Sequence, residues 1–173
     1  MRGRLPVQHN TRITSRTIGK ASFRYASLPD DLEPLMGLYR RFYAEAVYRD
    51  FIEWDDERAT DTIEDRITRH VRPHIVAEVG DTLVGFIAWE LDHSFSVKPV
   101  GVLYEFYVDP EHRKSAIGRF LWRLAVWVMK EDGACAVHAP VASGMKEAST
   151  TMRNMLIKEG LEEFGYILRK GLV

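Results

Sequence analysis

The stretch from Gly101 to Ala139 constrains the fold more than any other. "GVLYEFYV" (101–108) is dense in aromatic and β-branched residues, which suit a pleated strand. Asp109-Pro110 then turns the chain. Ile117, Phe120, Leu121, Leu124, Trp127 and Val128 recur at helical spacing and make a wide apolar face. Gly133 suits the left-handed residue that closes such a helix. "ACAVHA" (134–139) follows as an expected buried strand. One helix between two strands is a crossover, the connection that parallel strands need.

The rest of the chain supplies hairpins and more helices. "SFRYASL" reads as a first strand and "PDDLEPLMGLYRRFYAEA" as a first helix. Asp30 or Asp31 can cap that helix, and Pro34 is tolerable in its first turn. "WDDERATDTIEDRITRH" is a second helix whose narrow stripe, Ala59, Ile63 and Ile67, predicts shallow packing. "HIVAEV" and "TLVGFIAWEL" flank Gly80-Asp81, a two-residue hairpin signal. "DHSFSVKP" is a loop, "MKEASTTMRNMLIKE" a fourth helix ending at Gly160, and "FGYILRKGL" a last strand. The order β, α, α, β, β, β, α, β, α, β predicts an α/β fold: a mixed sheet with helices on both faces.

The chain has 173 residues, enough to bury a core without staples. Every charge before Asp30 is positive: Arg2, Arg4, Arg12, Arg16, Lys20 and Arg24. Residues 1–20 are therefore expected to be an arm and 21–173 the domain. The arm is either a solvated tail or a surface for nucleic acid or another anionic or protein partner. The start lacks the apolar stretch of a signal peptide. A net charge of −1 gives no overall pull toward nucleic acid or membrane, and no apolar run reaches spanning length. One cysteine, Cys135, excludes an internal disulfide and a cysteine-based zinc site, and it suits a reducing compartment. A cytoplasmic location, no membrane partner, no metal and either a monomer or a homodimer are the matching expectations.

The turn before the strong helix also has chemistry of its own. A helix start leaves backbone N–H groups free, and its dipole adds partial positive charge. Ser115, Ala116 and Gly118 are small enough for a ligand to approach the backbone, while Arg113, Lys114 and Arg119 add full charges. That set can bind a pyrophosphate, or it can be an ordinary turn with surface bases. A Walker-type loop is excluded, since no Gly-Lys-Ser/Thr occurs there, and the dinucleotide-binding glycine fingerprint is incomplete.

"YEFYVDPEHRKSAIGRFLWRLAVWVMKEDG" resembles the central motif of the GCN5-related N-acetyltransferases. In that family a strand, an Asp-Pro-like turn and an (Arg/Gln)-x-x-Gly-x-(Gly/Ala) loop lead into a long helix. Arg113 holds the first position, Gly118 the last, and Ala116 replaces the middle glycine. The element order from about Ala21 to Val173 matches as well. The resemblance implies the acyl-coenzyme A N-acyltransferase fold, with a sheet splayed between the 101–108 and 134–139 strands. It implies that the amides of Arg113, Lys114, Ser115, Ala116, Ile117 and Gly118 bind the coenzyme pyrophosphate. It also implies that the pantetheine arm lies along Phe106, Tyr107 and Val108. Arg119 and Ser149 would flank the coenzyme, Ser149 near the family's coenzyme-side asparagine. The Ala116 methyl would crowd a phosphate or, if positive φ is needed there, cost ~1–2 kcal/mol.

The implied reaction is acyl transfer, most simply of acetyl, from acyl-coenzyme A to an amine of a small molecule or protein. The oxyanion donor would be the Tyr107 or Val108 amide. Glu105, Tyr104 and His138 are candidate bases. Strict alternation puts Tyr104 and Glu105 on opposite faces, and a bulge, common in the family at this strand, would change that. Many relatives carry a tyrosine in the fourth helix as acid. The equivalent position here is Leu156, which leaves Tyr166, Ser149 or water. That departure keeps a second reading open: a non-catalytic acyl-coenzyme A-binding regulator or assembly protein on the same fold. Cys135, with small apolar neighbours and no identifiable partner set, is expected as a buried packing residue. Asp55, Asp56 and Glu57, near Trp54, are either helix-start charges or a site for a cationic acceptor.

Overall fold

The computed structural model describes residues 15–46, 49, 52–94, 97–140 and 146–163, and at 146–149 its backbone only. The expected last strand (164–172), Tyr166, the Ser149 side chain and residues 1–14 of the arm lie outside the described residues. The elements in chain order are β1 (Arg16–Ile18), β2 (Ala21–Tyr25), α1 (Leu32–Glu45), α2 (Asp56–Thr68), β3 (His74–Val79), β4 (Thr82–Asp92), β5 (Val100–Val108), α3 (Ile117–Glu131), β6 (Ala136–His138) and α4 (Lys146–Lys158). The six strands lie side by side in sequence order in one sheet. Every neighbouring pair is antiparallel except β5–β6, which the α3 crossover makes parallel.

Two apolar clusters sandwich this sheet. On one face α3 buries Leu121, Trp122, Ala125, Val128 and Met129 against Phe23, Ile75, Ile87 and Trp89. Leu156 of α4 joins that cluster. Each large side chain removed from water there contributes ~1.5–3 kcal/mol. On the other face Leu35, Met36, Leu38 and Tyr39 of α1, with Ile63 of α2, cover Val76, Phe86 and Tyr107. Ile63 is the one buried residue of α2, as its narrow stripe predicts. The β3–β4 hairpin turns at Gly80, whose φ of +63° is the left-handed conformation the Gly-Asp pair signals.

Four expectations need correction. Residues 16–18, assigned to the arm, pair with Ala21–Phe23 as strand β1, so the arm cannot extend through Ile18. Their side chains are exposed, which is why no apolar alternation marks them. The "ACAVHA" strand shortens to Ala136–His138 and is not buried: Ala136 and His138 are exposed. Cys135 is exposed as well, rather than packed. Asp31 does stand at the N-cap of α1, yet its carboxylate makes no cap bond. It accepts instead from Arg24 Nη2 at 2.8 Å and from the Ser27 amide at 2.6 Å, tying β2 to the helix start.

Two irregularities shape β4 and β5. Ala77 opposes Gly85 while Glu78 opposes Leu83, so Val84 is an extra residue in β4. Ala88 opposes Glu105 while Trp89 opposes Leu103, so Tyr104 is an extra residue in β5. On its other edge β5 pairs with β6 only from Val100 to Val102. From Leu103 to Val108 that edge has no neighbouring strand among the described residues, and the sheet opens there.

Candidate active site

The open edge of β5 presents its backbone in a defined alternation. The Asp109 amide donates to the Val84 carbonyl at 2.9 Å, which points it toward β4. Tyr107 points the same way, since its carbonyl oxygen lies only 2.8 Å from where a Cβ on Gly85 would sit. Successive peptide groups along a strand point to opposite edges. The polar groups of Phe106 and Val108 therefore face the opening. Of the two expected oxyanion donors, Val108 has the N–H on the open side and Tyr107 does not. The Val108 carbonyl takes Arg113 Nε at 2.8 Å.

A single short turn then joins β5 to α3. Pro110–His112 forms one 3₁₀ turn. Within residues 113–118 three amides are already occupied: Arg113 donates to the Pro110 carbonyl, Ser115 to the His112 carbonyl, and Ile117 to Ser115 Oγ at 3.2 Å. Arg113, Ser115 and Ile117 are therefore not open donors here, and the expected row of six amides reduces to alternate members. No acceptor among the described residues reaches the amides of Lys114, Ala116 or Gly118, or that of Arg119 in the first turn of α3. Ala116 is the N-cap with φ −77°, right-handed backbone that its methyl group does not strain. The expected cost of a non-glycine residue here does not arise. A Cβ on Gly118 would meet the Phe106 ring at 3.4 Å, a contact distance, so α3 starts close against β5.

The side chains of the turn divide. Lys114 and Ser115 are exposed and Ile117 is buried. Arg119 is exposed and lies 3.6 Å from Glu159. The Arg113 guanidinium is held by Glu45 of α1 at 2.6 Å and stacks over Tyr107 with 5.3 Å to its ring centre. A cavity of about 320 Å³ opens beside the turn toward β1 and β2, lined by Lys20, Phe23, His112, Ser115, Ala116 and Phe120 among others.

The candidate bases sit further back on β5. Because Tyr104 is the bulged residue, it and Glu105 reach the same group despite being adjacent. Arg72, just before β3, donates Nη1 to Glu105 Oε1 at 2.6 Å and stacks its guanidinium 3.8 Å from the Tyr104 ring centre. Arg72 also holds Glu90 of β4 at 2.6 Å, and Arg66 of α2 stands 3.6 Å from Glu105 Oε1. Glu105 Oε2 is buried and has no hydrogen-bond partner among the described residues. Burial pushes the Glu105 carboxyl above the ordinary glutamate range, against the pull of Arg72 and Arg66. Tyr104 is half exposed, not a core residue. His138 is exposed at the end of β6, opposite Val102 where the strands part. Leu156, the position that the resemblance matches to the family's tyrosine, is buried in the core.

Other candidates are used structurally. Asp55 caps α2 by accepting from the Arg58 amide at 3.0 Å, and Asp56 takes Arg40 and the Trp54 indole. The acidic run is thus already paired in large part. Among the described residues no cluster of three or more His, Cys, Asp or Glu can hold a metal, and no helix is long and apolar enough to cross a membrane. Sequence reasoning missed Arg66, Arg72 and Glu45. All three lie far along the chain from their partners, and nothing in their spacing marks them.

The acetyltransferase (GNAT) family model matches residues 33–150, more than half of the chain. The chain belongs to that family. No curated protein is significantly similar to it in sequence. Its fold is that of an aminoglycoside acetyltransferase, AAC(6')-Iy, solved with a bisubstrate analogue: TM-score 0.69 at 14% identity, over 88% of this chain and 97% of that one. It is shared by a ribosomal-protein-alanine N-acetyltransferase from Brucella melitensis biovar Abortus 2308, with TM-score 0.64, 21% identity, and 88% and 100% of the two chains covered. A predicted acetyltransferase from Clostridium acetobutylicum, solved with acetyl-CoA, superposes with TM-score 0.66 at 17% identity, over 88% and 96% of the two chains. The mixed sheet flanked by helices is the acyl-coenzyme A-binding fold of this family.

Proposed function

We propose that the protein transfers an acetyl group from acetyl-coenzyme A to an amine by direct attack in a ternary complex. The observation that carries this reading is the row of donors at Lys114, Ala116, Gly118 and Arg119, open among the described residues and continuous with the β5 edge that no described strand pairs. Four unpartnered amides at a helix start suit a pyrophosphate. The edge at Phe106 and Val108 can take the amides of a pantetheine arm as a sheet takes an added strand.

Glu105 is the general base in this mechanism. Arg72 holds Oε1, and Oε2 is left without a hydrogen-bond partner among the described residues. A raised pKa brings the carboxylate nearer the operating range, where a base works best. The ammonium gives its proton to Glu105, directly or through water, and the neutral nitrogen attacks the thioester carbonyl. The Val108 N–H receives the developing oxyanion. The tetrahedral species expels the thiolate as the C–S bond breaks; the nitrogen gives its second proton to water, and water returns one to the thiolate. No hydroxyl stands at Leu156 to supply it.

That same leucine favours a second reading, an acyl-coenzyme A-binding protein without turnover. Release of free coenzyme A from acetyl-coenzyme A over a panel of amines separates the two. Amine-dependent release, lost in Glu105→Gln, supports the enzyme. Tight coenzyme binding without release from any amine supports the binding protein, and no coenzyme binding through millimolar ligand rejects both.

A further inference from the structure

None of residues 109–116 is buried, so no core side chain anchors the turn that carries the open amides. Beyond the Asp109 amide on the Val84 carbonyl, what ties it to the body of the protein is charge. Arg41 and Glu45 stand one helical turn apart at the end of α1. Arg41 grips Asp109 with two bonds, Nε to Oδ1 at 2.9 Å and Nη2 to Oδ2 at 3.1 Å. Glu45 grips Arg113 at 2.6 Å through Oε2. Its Oε1 accepts from the Tyr107 hydroxyl at 2.7 Å, and that residue faces α1 from the sheet. The first pair holds the start of the turn and the second its middle, with the charges reversed between them. Each element thus presents one cation and one anion, and the crossed pairing fixes the register of turn against helix. The Arg113 side chain is committed to this clamp and to the Val108 carbonyl.

We infer that Arg41 and Glu45 are positioning residues for the coenzyme: their crossed ion pairs hold the turn in the shape that aligns its free amides on a pyrophosphate. This rests on the coenzyme reading above. The clamp also makes the turn depend on the α1–α2 layer, whose other end reaches Glu105 through Arg66.

Calorimetric titration with coenzyme A tests this on the full chain and on Glu45→Ala, Arg41→Asp and the charge swap Arg41→Asp/Asp109→Arg. Partly exposed ion pairs are individually weak, so each single change should loosen binding by about three- to fivefold. The swap, which restores both charges in exchanged places, should recover most of that loss. Thermal melting without ligand separates placement from folding, and Glu45→Gln, which keeps side-chain volume, repeats the test if truncation lowers solubility. Unchanged binding in the single variants overturns the inference. So does a swap no better than Arg41→Asp. Tighter binding by Glu45→Ala also overturns it, because Arg113 would then be a phosphate ligand that Glu45 restrains. Failure of the unmutated chain to bind coenzyme A removes the coenzyme reading itself, and the inference with it.

Discussion

The carboxylate shelf around Glu105 lies on β5 and the turn at residues 109–119 follows directly from that strand, but the two are built on different terms. The turn offers backbone. Its donors are main-chain amides at a helix start, and any small residue in right-handed backbone supplies them, as Ala116 does at φ −77°. The shelf offers side chains. Glu105 gets its environment from Arg72 before β3, Arg66 on α2 and a bulge at Tyr104. A backbone site tolerates substitution while its path is kept, whereas a side-chain site fails with any one member. Mutations at equal distance from the same substrate should therefore have very unequal effects.

The largest effect belongs to the shelf. Glu105→Gln keeps the volume but cannot take a proton, so turnover should fall ~10²–10⁴-fold, with coenzyme affinity little changed. Its pH dependence sharpens the point. Burial holds the Glu105 carboxyl above its ordinary value, so the acid limb of the unmutated enzyme's rate should lie above the ordinary glutamate range. The residual rate of the variant should lose that limb and rise at high pH, where more of the amine is already neutral. Tyr104→Phe is the matched control. A larger loss there than in Glu105→Gln would move the base to the bulged residue.

Next in size is Arg72→Ala, read as stability. It strips a buried guanidinium from two carboxylates, and breaking such a pair by removing one partner costs ~3–5 kcal/mol. Denaturant unfolding measures it, and a loss under 1 kcal/mol would show the shelf to be more solvated than it looks. A third effect is set by pH. His74 is fully buried, with Nδ1 on the Arg72 carbonyl at 2.9 Å and Nε2 against the Tyr39 hydroxyl at 2.7 Å. Burial pushes its pKa down from 6.5 to about 3. A depressed value means the unfolded chain takes up the proton first. Stability should therefore be fully present above about pH 6.5 and fall as pH drops toward 3. The slope contributed by one group reaches at most ~1.4 kcal/mol per pH unit, and His74→Gln should lack it.

The smallest effect is expected in the turn. Ala116→Gly removes a methyl group from the proposed phosphate cradle and adds backbone freedom at the helix start. Because Ala116 carries no left-handed strain, coenzyme affinity should stay the same or tighten slightly, with at most ~1 kcal/mol lost in stability. Markedly weaker binding by a folded Gly variant would contradict the geometry of the turn.

The same contrast governs what the sequence reveals. The β5–turn–α3 unit is contiguous, and its strand, turn residues and apolar face are read in one pass. The two hairpin strands and all four helices are legible for the same reason: each carries its period locally. β1 is not, because Arg16–Ile18 is short and exposed on every side chain. The burial of "ACAVHA" misleads because small apolar residues carry no direction, and Ala136 sits exposed in the structure. Asp31 reads as a cap because the position is right, while its actual partners, Arg24 and Ser27, are chosen by the packing of β2. In the site, Glu105 can be named but not its neighbours. Arg72 and Arg66 reach it only once β3 and α2 have packed, and one residue of bulge decides whether Tyr104 joins them.

The central claim is that the coenzyme is seated by backbone in the turn between β5 and α3. Amide hydrogen exchange, with and without coenzyme A, tests it residue by residue. Protection should rise at Lys114, Ala116, Gly118, Arg119 and Val108, and change little at Ser115 and Ile117, which already have partners. Binding that leaves those five amides exchanging at their unliganded rates would contradict the account.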